Sequence, residues 1–167
     1  MAGEFERELF ELTALAREDP TTAAGLVDGP NVQARLAALM LGAALAAVDE
    51  YEAFVRSRIT APVPAAAGEL ETDRRRWLGV AIGRLETARC ILLALEPEPE
   101  AQLWALAREA SRLAYTTVQD LIPVAAGAGA GLASTVGVMA TLWGDESGAE
   151  EDQVLRRLAR ERLGVDA

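Results

Sequence analysis

The strongest constraint on what this chain can fold into is the spacing of its apolar residues, which is helical almost from end to end. Phe5, Leu9, Leu12 and Leu15 fall on one stripe, three or four residues apart. "VQARLAALMLGAALAAVDEYEAFVRSRI", residues 32–59, is rich in Ala and Leu, the best intrinsic helix formers. It predicts one long helix with a densely apolar first half and a more polar second half. "TDRRRWLGVAIGRLETARCILLALE" and "AQLWALAREASRLAYTTVQDLIPVAAG" predict a third and a fourth helix. A shorter apolar helix is expected from Leu132 to Trp143, and "AEEDQVLRRLARERLG" reads as an amphipathic tail. No segment reads as a strand, and no repeat of fixed period is visible. The expectation is an all-α, up-down helical bundle of four main helices with short helices at its N- and C-terminal ends. A length of 167 residues suits a single domain over 1–167 with a core of its own.

Proline and glycine mark the breaks. The first helix should end at Glu18 to Pro20; at "VDGPN" Asp28 is placed to cap the next helix, with Pro30 in its opening turn. "TAPVPAAAGE", Thr60 to Glu69, reads as a loop, and "PEPE" ends the third helix. Pro123 should kink or end the fourth helix just beyond Gln119 and Asp120, because its ring removes an amide donor and clashes backwards. From Leu121 to Gly144 there is no charged side chain, which is long enough to span a bilayer. Five glycines, a proline and three hydroxyl residues dilute that run, and no basic cluster flanks it. It reads instead as buried helices or an oligomer interface, with no membrane span.

Composition narrows the chemistry. The formal net charge is −10, and all sixteen basic residues are arginine, with no lysine or histidine. Such a chain is not expected to track nucleic-acid phosphates. A histidine triad is excluded, and proton transfer would fall to Asp, Glu, Tyr, Cys90, the backbone or a bound cofactor. The single cysteine cannot form an internal disulfide, and no Cys/His cluster offers a zinc site. Cys90 is expected to be a small buried hydrophobe. The acidic start, "MAGEFERELFEL", lacks the basic and apolar regions of a signal peptide, so a cytoplasmic location is expected.

Four segments in order, "LGAALAAVDEYEAFVRSR", "RLETARCILL", "REASRLAYTTVQDLIPVAAGAGA" and "LWGD", together resemble the C-terminal helical domain of the acyl-CoA dehydrogenase superfamily, and most closely its flavin-dependent monooxygenase branch. The resemblance runs from about Val32 to Asp145. It matches Leu142, Trp143 and Asp145 to an Arg-Leu-Trp-Arg-Asp-like motif, in which Thr141 and Gly144 stand where arginines are expected. In that family, basic residues here hold flavin phosphates or organise the subunit interface, tasks suited to a guanidinium and not to Thr or Gly. The family also builds its flavin site from an N-terminal helical domain and a β domain that this chain lacks. The resemblance therefore implies a flavin-independent offshoot with no cofactor, and a homodimer or homotetramer. "GAGAG", Gly127 to Gly131, has no preceding strand and reads as helix packing rather than a phosphate loop.

Two functions follow as expectations. The first is a small-molecule enzyme of bacterial specialised metabolism that holds a hydrophobic substrate in a bundle cavity and promotes cyclisation or rearrangement by orienting it. Asp120 and Tyr115 are its candidate catalytic residues, and Gln119, Trp143, Glu50 and Tyr51 its candidate substrate contacts. Tyr115 and Gln119 are four apart and share a helix face. Asp120, if buried and unpaired, could act as a general acid; otherwise it accepts bonds from Arg84 or Arg89. Tyr115 and Trp143 also fit as core aromatics, and Glu50 and Tyr51 as surface residues where the long helix turns polar. A carrier that binds the same ligand without chemistry differs only in turnover. The second function is a noncatalytic helical partner subunit, docking on a flavoprotein that supplies the missing site. In that setting the first helix, Phe5 to Leu15, could refill the patch left by lost domains.

Overall fold

The computed structural model describes residues 2–59, 68–97, 100–123 and 130–144, with side chains for all but a few positions at helix ends. Among the described residues every regular element is a helix, with no strand. The first helix, α1 (Ala2–Glu18), carries Phe5, Leu9, Leu12 and Ala16 on its buried stripe. It stops where Asp19 leaves helical geometry at φ −143°. The Asp19 carboxylate accepts from the Thr22 amide at 3.0 Å and the Thr22 hydroxyl at 2.6 Å. With Pro20 in the first turn, this caps a new helix of five residues, α2 (Pro20–Ala24). "EDP" is therefore both the end of one helix and the start of another.

Gly29 (φ 129°) and Asn31 (φ 56°) then turn the chain in the left-handed region. The Asn31 carbonyl accepts from the amides of Ala34 and Arg35, opening α3 (Val32–Ile59). The cap is thus Asn31, three residues beyond the expected one, Asp28. α3 is the axis of the bundle: α1, α4 (Gly68–Leu93), α5 (Glu100–Leu121) and α6 (Ala130–Gly144) all pack on it, as does α2. Every residue from Leu36 to Ala44 is buried, so this stretch faces protein on all sides. By length and composition α3 could cross a membrane, its window averaging 1.5 in hydropathy, but 67% of that window is buried inside the bundle.

Small residues allow this crowding. A Cβ on Gly42 would lie 2.3 Å from the Thr13 carbonyl oxygen, 2.7 Å from the Ala16 Cβ and 3.0 Å from the Arg17 amide nitrogen. Gly42 is therefore a point of close approach between α1 and α3. The α5 stripe of Ala107, Ala110, Ala114 and Val118 is buried. Its buried hydroxyls bond back into their own helix, Ser111 to the Ala107 carbonyl at 3.0 Å and Thr117 to the Leu113 carbonyl at 2.7 Å. α5 ends at Leu121, two residues before Pro123, and α6 begins at Ala130. Of the charge-free run, Leu121 closes α5 and residues 130–144 form α6.

The core face of α4 is Ala81, Leu85, Ala88 and Leu92. Cys90 lies on the opposite side and is exposed, against the expectation that it is buried. Two residues along a helix rotate a side chain by about 200°, which carries position 90 away from the face of Ala88. The loop expected over Thr60 to Glu69 is shorter at its end, because Gly68 and Glu69 already belong to α4; residues 60–67, Gly127 to Gly129 of "GAGAG", Asp145 and the amphipathic tail lie outside the described residues.

Candidate functional site

Among the described residues the helices around α3 form an incomplete ring. α4 packs on α5, α5 on α6, α6 on α2 and α2 on α1, but α1 and α4 do not close against each other. The gap is an apolar groove of about 290 Å³. Leu41 and Leu45 of α3 form its floor, Leu9, Phe10, Thr13 and Ala14 one wall, and Leu92, Leu93 and Leu95 the other. Phe10 is 69% exposed and Leu93 49%, so both offer apolar surface at the mouth.

The polar groups at the rim are largely committed. The Arg17 guanidinium donates to both oxygens of Asp49 on α3, at 2.7 and 2.8 Å. That hydrogen bond raises the already high pKa of Arg17 and keeps it cationic. Arg89 donates to Glu86 at 2.9 Å, and the Thr13 hydroxyl to the Leu9 carbonyl at 2.8 Å. Glu6 and Glu18 complete the rim. The groove can bury an apolar body, and neither of its arginines is free of a carboxylate. A second, smaller hollow of about 160 Å³ sits at the α4–α5 turn, between Ala94, Glu96, Gln102, Leu103 and Leu106.

Of the residues singled out in the sequence, Asp120, Tyr115, Gln119, Glu50 and Tyr51 line neither space. Asp120 accepts a hydrogen bond from Arg84 Nη1, joining α5 to α4, and its side chain is 43% exposed. It is neither buried nor unpaired, so the arrangement is the arginine pairing set out above as its alternative role. Tyr115 is half-buried against the core, and Gln119, one turn on, is exposed. Tyr51 corrects the expectation of a surface position: it is fully buried, and its hydroxyl donates to the Arg74 carbonyl at 3.4 Å. Its ring lies 6.3 Å from that of Phe54, over which the Arg74 guanidinium sits at 5.2 Å. Tyr51 thus fastens α3 to the start of α4. Glu50, beside it, is half-buried, and the side chain of Trp143 lies outside the described residues. Asp120, Tyr115 and Gln119 share the last two turns of α5, while Glu50 and Tyr51 are on α3.

The sequence reading missed the groove. Its one local signal was Phe10, an aromatic lying off the stripe of Phe5, Leu9 and Leu12. Among the described residues no three Asp, Glu or Cys side chains gather to hold a metal ion. What the geometry defines is a class: an all-α bundle built on a buried central helix, with an apolar groove between α1, α3 and α4. No family model, curated protein or solved structure matches the chain.

Proposed function

We propose that this chain is a binding protein for a hydrophobic small molecule, held in the groove between α1, α3 and α4 and released unchanged. The observation that carries this reading is the groove itself: a leucine floor, apolar walls and an exposed phenylalanine around about 290 Å³. That volume is at the small end of the range for ligand pockets. Carriage rather than cyclisation is favoured because the candidate acid, Asp120, is paired with Arg84 away from the groove. A helical domain derived from the acyl-CoA dehydrogenase fold, now without flavin, is part of the same proposal, supported by the order of its four quoted segments.

The test is titration with Nile red, a neutral dye that brightens in apolar surroundings. One saturable site is expected in the wild-type chain. Leu45→Trp, which fills the half-buried floor, should remove that binding, whereas Ile122→Trp at an exposed position outside the groove should retain it. Circular dichroism checks that both variants are folded. Equal binding by the Leu45→Trp variant, or none by the wild type, would sink the proposal.

A further inference from the structure

The outer face of α4 presents a second surface, separate from the groove. Val80 is 37% exposed and Ile82 45%, on either flank of a face formed by Thr72, Arg76, Gly79, Gly83, Glu86 and Cys90. These six residues recur at helical spacing, opposite the Ala81, Leu85 and Ala88 stripe that enters the core. Arg76 has no ion-pair or hydrogen-bond partner among the described residues, and Glu86 engages Arg89 through Oε2. A Cβ on Gly79 or Gly83 would meet nothing within 4 Å. Glycine inside a helix costs stability relative to alanine, and contacts within the described chain do not explain either one.

We propose that this face binds a second copy of the chain, with the two α4 helices antiparallel about a two-fold axis level with Ala81. Equal steps either side of Ala81 set Arg76 against the partner's Glu86, twice over. They also set Gly79 against the partner's Gly83, where the missing side chains let the backbones approach. Val80 meets its own copy on one flank and Ile82 its own on the other. Thr72 and the partner's Cys90 face each other at the two ends. The charges select this orientation: a parallel pair would set Arg76 against Arg76 and Glu86 against Glu86, which like-charge repulsion opposes. A two-fold interface requires self-complementarity of this kind.

Sedimentation of the full chain is expected to show a dimer. A short bismaleimide should leave the wild-type chain uncrosslinked, because antiparallel copies of Cys90 stand eighteen residues apart along the helix, about 27 Å. Thr72→Cys should crosslink efficiently to the partner's Cys90. Gly79→Leu with Gly83→Leu should weaken the dimer by at least about tenfold without lowering the monomer's Tm, since both positions open to free space. Arg76→Glu and Glu86→Arg should each weaken it, and together restore it. The inference is overturned by a wild-type monomer at all concentrations, by a crosslink through Cys90 alone, or by folded Thr72→Cys protein that does not crosslink. Nile red binding in the groove is read separately, so the two proposals stand or fall independently.

Discussion

Gly42 decides how near α1 can lie to α3, and its substitution sets two effects against each other. Alanine would gain about 1 kcal/mol of helix propensity. Its Cβ would also stand 2.3 Å from the backbone oxygen of Thr13, a clash no rotamer can relieve. Overpacking of this kind costs about 1–3 kcal/mol, so Gly42→Ala is expected to lower the urea midpoint, and Gly42→Leu to detach α1. A variant as stable as the wild type would mean that the contact yields. Tyr51 and Cys90 show why single residues were harder to read than helices. Cys90 sits on α4, where apolar residues extend beyond the core face, Ile82 and Leu93 being exposed on the same helix as buried Leu85; Tyr51 sits where the polar half of α3 is covered by the start of α4. Position along the sequence therefore left the burial of either residue open.

Between elements, the Arg84–Asp120 pair joins α4 to α5 at a partly exposed position, with side chains 35% and 43% accessible. Exposed pairs contribute little, so Asp120→Ala should cost less than about 1 kcal/mol in chemical denaturation. A loss of several kcal/mol would show that the pair is structurally indispensable. The long helix was the most legible element, and α3 spans the expected residues 32–59, because turn-forming residues precede it and a proline-rich segment follows. α2 was missed although its signals were present: Asp19, Pro20 and Thr22 form an N-cap within five residues of helix. They were read only as the end of α1. The groove depends on the spacing of α1, α3 and α4 together, a three-body property that no single helical stripe records. Asp120 stayed open between acid and ion pair in the sequence, with Arg84 or Arg89 as its partner, because a pairing across 36 positions is not fixed by local spacing.

For the molecule as a whole, acid is the predicted weakness. The Thr22 hydroxyl and amide hold the Asp19 carboxyl below its ordinary pKa. A hydrogen bond from Arg112 does the same for Glu109, opposed in part by burial. A carboxylate with a depressed folded-state pKa stabilises the fold above its unfolded pKa and loses that contribution as pH falls through the folded value. Urea midpoints should therefore hold near neutrality and decline below about pH 4. The pair Asp19→Asn and Glu109→Gln should flatten that decline; an unchanged slope would assign it to other carboxylates. The alanine-lined axis has a thermal consequence too. From Leu36 to Ala44 much of what is buried is methyl-sized, so each residue removes little hydrocarbon from water while the helix retains its full complement of peptide groups. Exposing that mixture raises the heat capacity less than exposing a leucine-and-phenylalanine core would, which gives a broader stability curve and a fold that tolerates cold.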